Sequence, residues 1–368
     1  MRIVLASTER DWRGGEVQAG LLAEGLRRRG HEVAVLARKD GQLALRMDQA
    51  GLPVEAFPGR GRSPASWWSI RRFLRSFRPQ VLHANDSPAL ACTSWASWGL
   101  PIPARIASRR VVFPIRSPEK YRVGCDRVLC VSHAVAEACI ASGVPLDKLC
   151  VVHDGVDPQR ISQGNRERGR RSLAIEEGRP LLVTVAALTD DKGHKTLIEA
   201  AHQVIQTHPD AVFAWAGEGN RRDELQTLAA EAGLSQHIRF LGFRHDIADL
   251  IYAADVFVMP SHMEGLCSSI IDAMFAARAI VATTAGGIPE LVGAAPDEPP
   301  VAWLAPPKDA TSLANALLEC LAAPEERRQR GQRAHRRAMA RFTAEKMVDG
   351  VLEVYRAVLE RPQGRLAA

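Results

Sequence analysis

The chain has 368 residues, of which 46% are hydrophobic and 24% charged, and its formal net charge is +6. This length exceeds what one ordinary hydrophobic core supports, so the sequence predicts two domains. It contains no apolar run long enough for a membrane-spanning helix, its N-terminus becomes charged too early for a signal peptide, and its seven cysteines lack the spacing of a metal site or a disulfide framework. We therefore expect a cytoplasmic protein.

The charge is unevenly placed along the chain. Residues 1–171 hold 28 basic and 16 acidic side chains, whereas the remainder holds 20 basic and 26 acidic ones. A basic half indicates an anionic partner, such as phosphorylated lipid, a membrane surface or nucleic acid.

Apolar runs and helical patterns alternate in the first half. A loop is predicted over Trp12–Glu16 and a helix over Val17–Arg29, with Gly30 just beyond its end. The predicted strands are Ile3–Ala6, Val33–Leu36, Val81–His83, Arg105–Ser108 and Val128–Val131. Strands that alternate with helices indicate a parallel sheet covered on both faces.

The alternation restarts near Pro180 after a polar segment, Asp157–Ser172. The predicted strands there are Leu181–Ala186, Val212–Ala216, Ile238–Leu241, Val256–Met259 and Ala279–Thr283. We therefore predict an α/β protein with two doubly wound domains, residues 1–165 and 166–343, and a last helix at about 344–368 that packs back on the first domain.

The segment SHMEGLCSSIIDAM, Ser261–Met274, places one carboxylate before a predicted helix and another more than a turn inside it. Glu264 and Asp272 could simply face solvent or a turn. However, parallel sheets bind ligands at the carboxyl ends of their strands, and this segment follows the strand Val256–Met259. That position favours a functional role for both carboxylates.

Three more loops fall at corresponding strand ends. They are Gly14-Gly15, TDDKGHK at Thr189–Lys195, and TTAGGIPE at Thr283–Glu290. Glycines let backbone N–H groups approach an anion, and Lys192 adds a mobile positive charge. Asp190 and Asp191 suggest a divalent metal only weakly, because acids before a helix are more often capping residues, so no metal is expected.

Several ordered segments together resemble the retaining glycosyltransferases of family 4, which have the GT-B fold. They are VLCVSHAV, VVHDGVD, KGHKTLIEA, WAGEGNRRDEL, IRFLGF, ADVFVMPSHMEGL and GGIPELV. The resemblance covers nearly the whole chain and is strongest from Val128 to Val292. It implies transfer of a sugar from a nucleotide-diphosphate sugar, with no metal or other cofactor.

The resemblance also implies roles for individual residues. Glu264 would contact hydroxyls of the donor sugar, Asp272 the ribose hydroxyls, and Lys192 the diphosphate. The remaining residues implied in donor binding are Gly15, Gly217, Gly265, Leu266, Cys267 and Ser268. The leaving phosphate itself would accept the proton of the acceptor, so no catalytic nucleophile is expected.

Three positions depart from the family pattern. Asp272 stands where glutamate is usual, which shortens the side chain by one methylene. Ala187 stands where an arginine usually neutralises the diphosphate, so either another cation substitutes or activity is low. In place of a frequent histidine of the first domain, Arg109 and Arg110 stand nearby, and His83 is an alternative acceptor-binding or anion-binding residue.

One other enzymatic activity and two binding functions also fit the sequence. A sugar-nucleotide epimerase has the same fold, and the missing arginine is compatible with a binding protein that has lost catalysis. A nucleic-acid binder is supported only by the basic half, because no recognition motif accompanies it.

A predicted helix within Ser63–Gln80 carries an apolar stripe and a cluster of arginines. Packing on the core would explain the stripe. Alternatively, the helix lies on anionic lipid, with tryptophans at the headgroups and arginines on phosphate. The residues of this predicted membrane contact are Trp67, Trp68, Arg71, Arg72 and Arg75. We thus expect a peripheral membrane enzyme that extends a lipid-linked or anionic glycan, such as lipopolysaccharide.

Overall fold

A computed structural model describes residues 1–59, 61, 63–293 and 299–360. The chain divides into two compact units, Met1–Gly155 together with the segment from Ala344 onward, and Val156–Thr343. This division falls ten residues before the predicted boundary at 165/166. The difference arises because helices of residues 156–172 pack on helices of the second unit. Residues 361–368 of the predicted last helix lie outside the described residues.

The first unit is built on a seven-stranded parallel sheet. Its strands are β1 (Arg2–Ala6), β2 (Glu32–Arg38), β3 (Val54–Phe57), β4 (Val81–Ala84), β5 (Ala104–Arg109), β6 (Arg127–Cys130) and β7 (Leu149–Val151). Its helices are α1 (Gly14–Arg28), α2 (Gln42–Gln49), α3 (Pro64–Phe77), α4 (Ser87–Ala96), α5 (Glu119–Gly124) and α6 (His133–Ala141), completed by the C-terminal helix Ala344–Leu359. The strand order is β3-β2-β1-β4-β5-β6-β7.

The C-terminal helix is held in this unit by close packing against α1. A Cβ atom added at Gly25 would lie 2.6 Å from a methyl group of Val348, so only glycine permits this approach. At the end of α1, the Arg29 guanidinium lies 2.6 Å from the Glu345 carboxylate and 2.7 Å from that of Asp349. Apolar packing and ion pairs therefore both fasten the helix.

The second unit is built on a six-stranded parallel sheet. Its strands are β8 (Leu181–Val185), β9 (Val212–Ala216), β10 (Ile238–Gly242), β11 (Val256–Met259), β12 (Ala279–Thr283) and β13 (Trp303–Ala305). Its helices are α7 (Pro158–Ser162), α8 (Arg166–Ser172), α9 (His194–Thr207), α10 (Arg222–Glu231), α11 (Ile247–Ala253), α12 (Ser268–Phe275), α13 (Ile288–Val292), α14 (Ala310–Ala322) and α15 (Pro324–Arg341). The strand order is β10-β9-β8-β11-β12-β13.

Burial explains why these segments form strands. All residues of β9, β11 and β12 are buried, as expected for central parallel strands covered by helices on both faces. Such strands appear in the sequence as continuous apolar runs, and the predicted α/β class with two doubly wound domains is confirmed. The short strands β3, β7 and β13 were not predicted.

Candidate active site

Three loops of the second unit meet at the carboxyl edge of its sheet. Strands β8, β11 and β12 are adjacent and parallel, with Val256 paired to both Leu182 and Ala279. The segments that follow them are 189–193, 260–267 and 284–287. The fold therefore brings together the loops in which the sequence predicted site residues.

The buried Glu264 carboxylate and the Lys192 ammonium form an ion pair at this edge. The Lys192 Nζ atom lies 2.8 Å from Glu264 Oε1 and 3.5 Å from the nearer Asp191 oxygen. The Ser261 hydroxyl donates to the same Glu264 oxygen at 2.8 Å. Burial by itself lowers the pKa of Lys192, but Glu264, Cys267 and Asp191 together outweigh it and leave that pKa raised. The lysine thus carries its positive charge into a largely enclosed position.

Two glycines allow the loops to approach closely enough for this pair. Gly193 has φ +70°, and a Cβ atom there would lie 1.9 Å from the Pro260 carbonyl oxygen. Gly286 has φ +50°, and a Cβ atom there would lie 1.8 Å from the Glu264 carbonyl oxygen. Neither position accommodates any other residue without displacing backbone.

The segment before α12 contains a left-handed turn at the N-terminus of the helix. Cys267, the residue that precedes Ser268, has φ +81°, a left-handed conformation that non-glycine residues rarely adopt. Gly265 and Leu266 are buried in the same turn. Burial, followed by the field of Glu264, raises the pKa of the Cys267 thiol to about 12, so this cysteine remains a thiol. The turn therefore contributes backbone and a helix N-terminus rather than a nucleophile.

Asp272 lies one turn inside α12 and is 1% exposed. Its Oδ2 atom accepts from the Arg160 guanidinium at 2.6 Å, whereas no group of the described chain bonds to Oδ1. Burial raises the pKa of Asp272 to about 6, and Arg160 lowers it only in part. A buried carboxylate with one unsatisfied oxygen is typical of a ligand-binding position.

Gly217 and Ala187 lie beside each other at the ends of β9 and β8. A Cβ atom at Gly217, which has φ +148°, would lie 1.9 Å from the Ala186 carbonyl oxygen. Ala187 is exposed. The structure thus gives Gly217 a packing role and leaves open space at the position where the family pattern has an arginine.

In the first unit, Gly15 is part of a helix rather than of the predicted loop. Helix α1 begins at Gly14 because the Arg13 carbonyl accepts from the N–H groups of Glu16 and Val17. The Gly15 carbonyl oxygen accepts from the Asn85 side chain at 3.1 Å. The glycine-bearing segment therefore forms a helix N-terminus near the carboxyl end of β4.

The three basic candidates of this unit differ in their surroundings. The His83 ring is buried, with Nδ1 2.6 Å from the Tyr355 hydroxyl and Nε2 2.8 Å from the Ser108 hydroxyl. Burial lowers the pKa of His83 to about 3, so the ring is neutral and both nitrogens have partners. Both ring nitrogens of His83 are thus occupied by hydrogen bonds inside the first unit, which favours a structural role.

Arg110 and Arg109 follow each other at the end of β5. Arg110 bonds to the Asp154 carboxylate at 3.2 Å and to the Asn85 side chain at 2.6 Å. Arg109 donates to the Phe113 carbonyl and forms no ion pair with a described residue. Arg109 is accordingly the better placed of the two to receive an anion.

Helix α3 packs one face on the core and exposes the other. Ile70 and Leu74 are buried, and Trp67 donates from its ring nitrogen to the Gly61 carbonyl at 2.8 Å. Arg71 donates to the carbonyl groups of Ala96 and Trp98, so it fastens α4 rather than facing a ligand. Three residues of the predicted membrane contact remain exposed, and we call them the α3 surface: Trp68, Arg72 and Arg75.

Sequence reasoning missed two contributors to the site. Arg160 lies 112 positions before Asp272 in the chain, and nothing in its surrounding sequence marks it as a partner. Ser261 precedes Glu264 by three residues, and a hydroxyl so close to a loop carboxylate was a usable signal.

The described residues contain neither a cluster of metal ligands nor a membrane-spanning helix. Among residues 1–59, 61, 63–293 and 299–360, no three His, Cys, Asp or Glu side chains are grouped as metal ligands. The exposed Asp190 instead pairs with Arg221 at 2.6 Å. In the same part of the chain, each helix is too short or too polar to span a bilayer.

Two family models match the chain, one for each half. Residues 12–160 match the model described as Glycosyltransferase Family 4, and residues 165–337 match the model described as Glycosyl transferases group 1. Among solved structures, Alr3699/HepE of Anabaena, crystallised with UDP-glucose, superposes with a TM-score of 0.84 over 97% of this chain and 100% of that one. Their sequences are 23% identical, so this likeness concerns the fold.

Curated relatives are more similar in sequence but match over shorter segments. The 2-deoxystreptamine N-acetyl-D-glucosaminyltransferase of Streptomyces fradiae is 29% identical over 232 residues, which are 61% of this chain and 54% of that protein. A GDP-mannose-dependent monoacylated alpha-(1-6)-phosphatidylinositol monomannoside mannosyltransferase of Corynebacterium glutamicum is 31% identical over 195 residues, 49% of each chain. The chain thus spans about half the length of the curated relatives it matches.

Proposed function

Because the chain belongs to the family 4 glycosyltransferases with the GT-B fold, we propose that it transfers a sugar from a nucleotide-diphosphate sugar to a glycan or lipid-linked acceptor. The proposed reaction retains the anomeric configuration and uses no metal ion. It belongs to the biosynthesis of a cell-surface polysaccharide or lipopolysaccharide.

The observation that carries this proposal is the Lys192–Glu264 ion pair at the carboxyl edge of β8 and β11. In the free enzyme, Glu264 balances a lysine that is mostly enclosed by protein. When the donor binds, its diphosphate supplies a second anion for Lys192, and the Glu264 carboxylate accepts hydrogen bonds from sugar hydroxyls. Lys192 thus binds the diphosphate of the donor, and Glu264 binds its sugar.

The transfer step then proceeds with charge moving onto the diphosphate. The bond from the sugar C1 to the leaving oxygen breaks, and its electron pair goes to the diphosphate, which Lys192 and the N-terminus of α12 stabilise. The acceptor hydroxyl oxygen forms the new bond to C1 on the same face. Its proton passes to the leaving phosphate, so atoms and charge balance without a protein nucleophile.

Asp272 is the proposed ribose-binding residue. Its unsatisfied Oδ1 atom can accept from a ribose hydroxyl, while Arg160 holds Oδ2 and fixes the side chain. The shorter aspartate is thus given a defined orientation by a partner from α7. A structural neighbour was crystallised with UDP-glucose, and the name of one relative specifies GDP-mannose. Both names support a nucleotide sugar as the donor, but they do not identify its base.

The acceptor is proposed to be lipid-linked or anionic, at a membrane surface. The name of the Corynebacterium relative, a mannosyltransferase acting on a phosphatidylinositol mannoside, supports a lipid-linked acceptor. The excess of basic residues in 1–171 and the exposed tryptophan and arginines of the α3 surface support a peripheral position on anionic lipid.

Replacement of the ion-paired residues tests the donor site. We expect Lys192→Ala and Glu264→Ala each to lower kcat by at least about 100-fold, as loss of a transition-state contact does. Matched controls are Lys195→Ala and Glu199→Ala, which remove exposed charges from α9 and should leave turnover unchanged. If both site variants fold and retain near-normal turnover, the assignment is wrong.

The donor and the stereochemistry need their own measurements. Thermal shift with UDP-, GDP- and ADP-sugars identifies the base, and we expect one of them to raise Tm in the wild type but not in Lys192→Ala. Nuclear magnetic resonance of the product reports whether the anomeric configuration is kept. Turnover that is abolished by a chelator and restored by a divalent cation would contradict the metal-independent mechanism.

A further inference from the structure

A cavity of about 200 Å³ lies in the first unit between α3, α4 and α5. Trp67 and Trp95 form its aromatic wall, and Ser87 and Lys120 contribute its polar side. This volume suits a single sugar ring. Its lining combines aromatic surface with a positive charge, a combination that the donor site does not explain.

The aromatic wall is an ordered stack that remains open to solvent. The Trp67 and Trp95 rings are 6.0 Å apart at 20°, and Trp95 is stacked in turn on Trp98 at 6.2 Å and 22°. Trp95 is nevertheless 60% exposed and Trp98 73% exposed. Large aromatic groups exposed together are uncommon on monomers and usually mark a binding surface. The C–H face of a pyranose is apolar and packs well against such indole rings.

The polar side of the cavity carries positive charge that no acid neutralises. The Lys120 ammonium donates to the Ser87 hydroxyl, and the pKa of Lys120 is lowered, first by burial and then by Arg109 nearby. In the part of the chain that the structure describes, neither cation forms an ion pair. A bound anion would supply the missing partner for these groups.

The surrounding sequence reinforces this field. Residues 63–122 contain nine arginines and Lys120 but only two acidic residues, Asp86 and Glu119. The Asp86 carboxylate is already saturated, because it accepts from the Ser7 hydroxyl, both donors of Thr8 and the Ala89 N–H. Neither Lys120 nor Arg109 is among the donors to this carboxylate.

We propose that this cavity binds an anionic sugar residue of the acceptor glycan, with its ring against the exposed surface of the Trp67–Trp95 wall and its carboxylate or phosphate on Lys120. This inference rests on the proposed function, since it names the chemical class of the acceptor. Arg109 provides the second positive charge, and Ser87 hydrogen-bonds a ring substituent.

Binding of simple sugars to the full chain tests the inference without any turnover. Methyl glucuronide and methyl glucoside are titrated at low salt, and binding is followed by tryptophan fluorescence and by saturation-transfer nuclear magnetic resonance. We expect the glucuronide to bind at least about tenfold more tightly than the glucoside, as expected for a hydrogen bond to a charged group. The preference should shrink as salt is raised.

Variants place the binding in this cavity. Lys120→Met keeps the aliphatic packing of the side chain and should remove the preference for the glucuronide. Trp95→Ala should weaken the binding of both sugars by about tenfold, because it removes the stacking surface. Matched controls are Arg122→Ala, an exposed cation on the same helix, and Trp68→Ala, an exposed indole outside the cavity; neither should change binding.

Three outcomes would overturn the inference. They are equal binding of the two sugars, unchanged glucuronide affinity in Lys120→Met, and binding of inorganic phosphate as tight as that of methyl glucuronide. The donor test is separate, because nucleotide binding depends on Lys192 in the other unit. Glucuronide binding that persists when no nucleotide sugar binds would refute the proposed function while leaving an anionic-sugar site.

Discussion

Replacing Asp272 with asparagine is expected to stabilise the protein above pH 7 and to weaken nucleotide binding. The carboxylate is buried, Arg160 satisfies one of its oxygens, and the other has no partner among the described residues. Asparagine keeps an oxygen that can accept from Arg160 and removes the charge. Opposite effects on stability and on affinity are the expected signature of a residue retained for ligand binding.

The size of the effect follows from the pKa of this carboxyl. Burial raises it from 3.8 to about 6. Because the pKa is about 6 in the folded protein and 3.8 in the unfolded chain, the folded state is not penalised below pH 3.8, where the carboxyl is protonated in both states. Stability is then lost as the pH rises through about 6, since the folded protein must bury the ionised form. The ionised form therefore costs about 3 kcal/mol at pH 8 and about half as much at pH 5. Asparagine should recover most of this free energy.

Urea unfolding at pH 5 and pH 8 measures the change. The gain from Asp272→Asn should be larger at pH 8 by about 1–2 kcal/mol. Asp249→Asn is the matched control, because Asp249 is also buried and paired with an arginine, Arg168, but its pKa is lowered by that hydrogen bond. This control should lose stability at both pH values. Calorimetry with the nucleoside diphosphate then measures the affinity.

Two results would refute the reasoning. If Asp272→Asn is less stable than the wild type at pH 8, or gains equally at both pH values, burial of the charge does not destabilise this site. If nucleotide affinity is unchanged, the carboxylate does not hold the ribose.

Three further predictions concern the loops and the surface. Gly286→Ala should lower the free energy of unfolding, measured in urea, by more than about 3 kcal/mol, because its Cβ atom would overlap the Glu264 carbonyl oxygen. Gly14→Ala is the control: its Cβ atom would meet open space, so the same assay should show no change. Ala187→Arg should raise kcat, because the position is exposed and the proposed diphosphate site has one cation fewer than the family pattern. If calorimetry instead shows loss of nucleotide binding, another side chain already occupies the space that the arginine would need. Reversing both arginine charges of the α3 surface should abolish salt-sensitive co-sedimentation with anionic vesicles, and equal, negligible binding of the wild type to neutral and anionic vesicles would contradict a membrane contact.

The sequence by itself determined the order of the longer strands and helices and the loops that carry the candidate site. Central parallel strands must be apolar on both faces, so β9, β11 and β12 appear as continuous apolar runs in the sequence. Loops at the ends of such strands share one edge of the sheet, which is why Lys192 and Glu264 could be assigned to one site from separate segments. Strands of three or four residues at sheet edges, such as β7 and β13, give too short an apolar run to be distinguished from loops.

Only the tertiary structure decided which polar groups are partners and which are free. The sequence leaves His83 as a candidate ligand, whereas in the folded chain the Tyr355 hydroxyl, 272 positions away, occupies one of its nitrogens. Arg160 and Asp272 meet only because α7 packs on α12. The periodicity of apolar residues specifies local elements and their buried faces, but an ion pair depends on which distant segments fold against each other. The functional distinction between a satisfied carboxylate at Asp249 and a half-satisfied one at Asp272 therefore exists only in the folded chain.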